Sequence, residues 1–286
     1  MSVFEIHARP SRTAVWTLSW FLFAAGIATY FWASTIRHRE NPEDHVMPTL
    51  AQMGQAFATA ALKPAEDEEV LPGLDQQSFA AQFSHSMLWK DTKATGRRFL
   101  VSLALLVPAV LLGLHMGMLP YVGTFFVRFV LFFDKIVALS LLPILFIAFG
   151  IDELAKVMLI VIGVAPTVIL DSFHLTRSVP REQIVKGFTL GAGDFSVTYR
   201  IVLKQILPRV LNSIRLNLKA VMLFLFAGEM IASTDGLAYR IALLRRHMGM
   251  DTIIPYVLWV ALLLFLVDWS MRVTNRKLHP WFQGAE

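Results

Sequence analysis

Residues 181–208 read REQIVKGFTLGAGDFSVTYRIVLKQILP, a hydrophilic segment set between apolar runs long enough to cross a bilayer. Ile184, Phe188 and residues 190–192 suit one short amphipathic helix, and Phe195, Tyr199, Val202 and Ile206 form a second apolar stripe at helical spacing. Between them Gly191 and Gly193 permit a tight turn that larger side chains would obstruct. A helical hairpin or bent helix at the water face, with apolar side chains left over, is a docking surface. An amphipathic linker lying on lipid headgroups gives the same pattern.

The rest of the chain sets that segment in a membrane. Of 286 residues 56% are hydrophobic and 16% charged, and the mean hydropathy is +0.57. Soluble domains carry about a quarter charged residues, so the fold class is an all-α polytopic membrane protein. The net charge is +5, but the cations sit in loops and at span ends without interleaved aromatics. That places them at membrane edges and argues against a nucleic-acid partner. With no cysteine, disulfides, thiolate metal sites and cysteine nucleophiles are excluded. His115, His174 and His247 lack metal-ligand spacing, so neither a metal site nor a catalytic group is expected.

Working outward, residues 1–13 form an inner tail and 14–34 a first span with Trp16, Trp20, Tyr30 and Trp32 near its ends. Residues 35–97 read as a polar outer loop; within it 50–62 suit a short amphipathic helix, and Glu66, Asp67, Glu68 and Glu69 form a solvated acidic run. The core is 98–272. A second span, 99–118, ends at Gly117 and Pro120, and the apolar stretch 121–149 is too long for one straight crossing. Pro143 is expected to kink it, or part of it to be re-entrant. Asp152 and Glu153 cap a fourth span, 156–170; the fifth and sixth are 210–231 and 253–271, and 273–286 is an inner tail. Six spans put both termini and the 181–208 loop on one side. Charge does not say which: that side carries eleven lysines and arginines, the other ten.

Two sets of charges lie inside spans. Arg215, Lys219, Met222, Phe226 and Glu229 are spaced 4, 3, 4 and 3, so they share one helix face. Charges facing lipid are costly, so this face suits a pathway or a subunit seam; Arg215 also has the option of snorkelling to headgroups, which Glu229 lies too deep to use. Arg128 and Lys135 share a face seven residues apart and would favour an anion, unless Asp134 pairs with Lys135. Asp268 is placed to pair with Arg272 at i+4.

At Pro143-Ile144-Leu145-Phe146-Ile147-Ala148-Phe149-Gly150-Ile151, followed by Lys156-Val157, the chain resembles the Pro-Leu…Trp-Phe-Gly segment of bacterial ABC importer permeases. The branch it most resembles is the nitrate, sulfonate, taurine and bicarbonate type. Leu190-Gly191-Ala192, then Ile201-Val202-Leu203 and Pro208, match parts of that superfamily's EAA loop. Ala227-Gly228-Glu229-Met230, Gly236-Leu237, Asp268 and Pro280-Trp281 follow in the expected order. The loop is degenerate: Val185-Lys186-Gly187 replaces Glu-Ala-Ala, and Lys204 replaces a proline.

The resemblance implies about six transmembrane helices of the type I importer permease kind, with 181–208 as a cytoplasmic coupling helix. It makes Phe188, Gly191, Ala192, Gly193, Phe195, Tyr199, Ile201 and Leu203 the ATPase-coupling set. Arg128, Lys135, Lys219, Met222, Phe226 and Glu229 become the translocation path or subunit seam, and Gly236, Leu237 and Arg240 face a binding protein. The implied partners are ABC ATPase subunits, a second permease copy or sister permease, a periplasmic substrate-binding protein and the lipid bilayer of the inner membrane. The chain has no Gly-x-x-x-x-Gly-Lys-Ser/Thr loop, so no cofactor is expected on it; ATP and Mg belong to the partner ATPase. The competing classes are an ion-coupled secondary transporter using Glu229 and Asp134, and a polytopic membrane enzyme acting on lipid.

Overall fold

A computed structural model describes residues 11–40, 46–62 and 79–282. Their elements are helices: α1 (Arg12–Glu40), α2 (Leu50–Leu62), α3 (Phe79–Ser84), α4 (Met87–Met118), α5 (Pro120–Asp134), a 3-10 turn (Ala138–Leu141), α6 (Leu142–Phe149) and α7 (Glu153–Arg177). Then come α8 (Arg181–Thr189), α9 (Asp194–Ser196), a π-helical turn (Val197–Val202), α10 (Leu203–Ala232), α11 (Leu237–Arg245) and α12 (Met250–Leu278). The acidic run at 66–69 and the outermost parts of both tails lie outside the described residues.

The core is α4 laid along α7, with α10 against α7. Leu106 and Leu114, Ile160 and Val164, and Val221 and Leu225 meet there, each at most 1% exposed. In lipid, burial brings no gain from leaving water, so this contact is held by close packing and polar bonds. The residues on the outer faces, such as Leu100, Leu105 and Val107, are left to the acyl chains. A half-buried shell of α2 and α12 closes one side, where Phe57 and Trp259 rings stack at 5.9 Å. α1 stands apart, tied by Tyr30 Oη to Pro48 O at 3.0 Å and Ser34 Oγ to Met47 O at 2.9 Å.

Contacts between α4 and α7 settle the crossing of α5 and α6. Arg98, early in α4, bonds Glu153 at the start of α7 at 2.7 Å, while Gly117, late in α4, abuts Thr176 at the end of α7. The two helices are therefore parallel, and residues 120–152 must carry the chain from one membrane face to the other. α5 and the segment from Ala138 to Phe149, bent by 82°, are one span broken in its middle, the sixth candidate beside five straight ones.

Several boundaries differ from the sequence reading. The break in that span falls at 135–137, and Pro143 instead occupies the first turn of α6, where its missing N–H is no loss. The first short helix of the 181–208 segment stops at Thr189, leaving 190–192 in the turn. The second stripe is no separate helix but the start of a continuous one, 194–232. The polar loop 35–97 is shortened from both ends. α1 runs to Glu40, and α4 starts at Met87, capped by Ser86 Oγ accepting from Trp89 N at 3.2 Å. At 1.5 Å per residue the 32 residues of α4 span about 48 Å, so its first three turns project beyond the apolar layer.

Candidate functional site

The polar residues on those projecting turns, Asp91, Thr95 and Arg98, recur at spacings of 4 and 3 and share one face of α4. They meet the end of α10 and the start of α11. Glu229 is fully buried: it accepts from Thr95 Oγ1 at 2.9 Å, Arg98 Nη1 at 2.8 Å and the Ala238 backbone N–H at 3.1 Å. Arg98, 4% exposed, also holds both oxygens of Glu153, at 2.5 and 2.7 Å, and bonds Asp235. Lys156 Nζ reaches Glu153 at 2.9 Å and Ser233 at 3.1 Å.

The first turn of α11 supplies donors to the same cluster. The N–H groups of Gly236, Leu237 and Ala238 bond Asp91 Oδ1 at 3.1 Å, Thr95 Oγ1 at 2.9 Å and Glu229 respectively. These are the orphan donors every helix start leaves, and the carboxylates also meet the positive end of the helix dipole. With Arg240 on Asp91, four carboxylates and three cations thus fasten α4, α7, α10 and α11 at one end of the bundle.

The expected binding-protein set falls inside this cluster. Leu237 is fully buried, Gly236 packs on the Glu229 carboxylate, and Arg240 donates Nε to Asp91 Oδ2 at 3.0 Å. Their local charge and glycine were legible as an outer loop, but the helix start draws them inward. Arg245 and Arg246, next on α11, are the exposed ones.

At the opposite end, α8 and the start of the 194–232 helix form the hairpin. Gly191 turns it with φ +83°, a left-handed conformation that favours glycine. Val185, Phe188, Leu190 (80% exposed) and Phe195 (72% exposed) project from it. Val185 and Leu190 were outside the expected set, although the apolar surplus in the sequence pointed to them. Ala192, Ile201 and Leu203 face inward and pack on the core, and Gly193 is exposed with open space around it. Tyr199 stacks on Phe195 at 4.6 Å and donates its hydroxyl to His115 Nε2 at 3.1 Å, because His115 Nδ1 already bonds Leu111 O at 2.7 Å.

The charged stripe on α10 is divided. Arg215 pairs with Asp268 at 3.1 Å, which also takes Arg272 at 2.5 Å, so Arg215 does not snorkel but joins α10 to α12. Lys219 is exposed, Met222 buried and Phe226 half-buried. Arg128 and Lys135 do not form a buried cationic face. Arg128 is exposed, and Lys135, 78% exposed, caps α5 and bonds Asp134, whose other oxygen accepts from Thr167 at 3.0 Å. Among the described residues no group of three or more His, Asp or Glu is placed to hold a metal.

Two polar ends joined by a packed bundle, one end bearing an apolar hairpin, fit the comparisons with known proteins. Residues 103–280 match the family described as binding-protein-dependent transport system inner membrane component. Taurine transport system permease protein TauC of Escherichia coli (strain K12) is 27% identical over 200 residues, 70% of this chain and 73% of that protein. Among solved structures, a chain of the MetNI methionine ABC transporter, in inward-facing conformations, aligns with a TM-score of 0.52 and 16% identity. It covers 66% of this chain and 93% of that one. The family match spans more than half of the chain, through the hairpin and both flanking spans; the chain therefore belongs to the binding-protein-dependent transport system inner membrane components, as a multi-pass ABC importer permease.

Proposed function

We propose that the chain works in the cytoplasmic membrane of a bacterium beside a second permease, a copy of itself or a sister chain. In this reading its 181–203 hairpin docks on a separate ATPase subunit that binds ATP and Mg. The observation that carries it is the exposed apolar quartet Val185, Phe188, Leu190 and Phe195, held on a hairpin that continues without interruption into a membrane-crossing helix. A push on the hairpin is transmitted along that helix to Glu229, about 50 Å away at 1.5 Å per residue. There four helices are fastened together, as suits a gate at the outer end. A periplasmic binding protein resting on that end would meet Arg245 and Arg246 rather than Arg240. The likeness to a taurine permease supports a small anion of the sulfonate class as substrate.

The test is a gentle-detergent pull-down of the chain from its native membrane with mass spectrometry. Phe195→Asp and Leu190→Asp should each lower ATPase-chain retention about tenfold, as expected for a lost hot-spot anchor, without changing the thermal midpoint. Equal retention in wild type and both variants would remove the hairpin as the docking surface.

A further inference from the structure

Behind the hairpin lies a cavity of about 720 Å³, between the end of α4, the start of α5, the end of α7 and α8. Three arginines line it, Arg128, Arg177 and Arg181, against a single acidic residue, Asp194. Among the described residues none of the three is paired with a carboxylate. Arg177 is steadied by the Phe173 ring, 5.4 Å below it. Arg128 stands eight residues into α5 from Pro120, about 12 Å along the helix, where an uncompensated charge beside lipid is costly.

Like charges gathered at a membrane edge need a counter-ion, and its chemistry follows from the lining. Planar guanidinium forks match the oxygens of a phosphate group. The volume exceeds what a halide fills, and Met116, Leu119 and Val127 give the wall an apolar half. The cavity lies at the same membrane face as the hairpin, in the proposed orientation the leaflet edge facing the cytoplasm, where anionic lipid is available.

We propose that this cavity is a binding site for a phosphate-type anion, supplied by an anionic phospholipid headgroup or by free phosphate. Its occupant touches Arg181 on α8 and Thr198 in the π-helical turn, and so braces the hairpin from behind. The site does not depend on the ATPase reading, because binding is measured on the chain whether or not an ATPase accompanies it.

The experiment uses the full chain with its co-purifying partners in phosphatidylcholine nanodiscs. One arm adds radiolabelled inorganic phosphate; the other adds phosphatidylglycerol to the disc and reads retained lipid by native mass spectrometry. Wild type and Arg245→Gln should bind alike, and the double variant Arg177→Gln, Arg181→Gln should bind at least about tenfold more weakly, the loss expected for charge-assisted bonds. Arg181→Gln alone gives the same reading, with a smaller loss, should the double variant fold poorly. Retention of phosphatidylglycerol without phosphate binding assigns the site to lipid; phosphate binding in pure phosphatidylcholine assigns it to the free anion. Equal binding of both probes by wild type and the arginine variants, or none by any of them, overturns the proposal.

Discussion

At Gly236 the backbone adopts φ +118°, and a methyl group there would lie 2.7 Å from the Glu229 carboxylate. Gly236→Ala therefore combines left-handed strain with a clash inside a filled polar cluster, and should cost about 2–4 kcal/mol, read as a lower thermal midpoint in detergent. Gly193→Ala is the contrast: its φ is −78° and nothing lies within 4 Å, so it should stay within about 0.5 kcal/mol of wild type. The same cluster ranks its charged members. Glu229→Gln keeps the shape of the side chain and, with its oxygen toward Thr95 and Arg98, loses only the bond from the Ala238 N–H, whereas Arg98→Met strips partners from Glu153, Glu229 and Asp235 together. Arg98→Met should destabilise by about 3–5 kcal/mol and Glu229→Gln by less than half of that; equal losses would mean the cluster is not held through Arg98.

Between the hairpin and its span lies the Val197–Val202 turn, wound as a π-helix, a geometry frequent at functional sites. It is pinned to α4 by Tyr199 and His115. Tyr199→Phe keeps the ring on Phe195 and removes one hydrogen bond, about 1 kcal/mol of local restraint. Hydrogen exchange across 195–203 should quicken in that variant while the rest of α10 keeps its rate; unchanged exchange would show that the turn is held by packing alone. The hairpin was largely legible in the sequence, because its stripes at helical spacing and Gly191 are local signals. Pro143 misled, since a proline breaks a helix interior but opens a helix equally well, and only the tertiary path distinguishes the two. The polar cluster was not assembled from sequence: Arg98 and Glu229 are 131 residues apart and Asp91 and Arg240 are 149 apart. Glu229 was legible as an in-span charge too deep to snorkel, but the shared helix face of Asp91, Thr95 and Arg98 was masked by the boundary drawn between a polar loop and the core at residue 97.

Across the whole molecule, the parallel pairing of α4 and α7 requires an odd number of crossings between them. Counting the broken span as one crossing, Leu190 and Phe282 fall on one membrane face and Met248 on the other. Lysine and arginine counts are too nearly balanced to say which face is which, so the orientation with the hairpin inside is part of the proposed function and open to test. Because the chain has no cysteine, single reporters can be introduced without removing any native thiol. Leu190, 80% exposed, and Met248, 68% exposed, make no packing contribution that a cysteine would forfeit. In intact cells a membrane-impermeant maleimide should label Met248→Cys and leave Leu190→Cys untouched until the membrane is opened. The reverse pattern would invert the molecule and remove the hairpin from reach of any cytoplasmic ATPase. Labelling of both from outside would contradict α10 as a span, and with it the helix that joins the hairpin to the polar cluster.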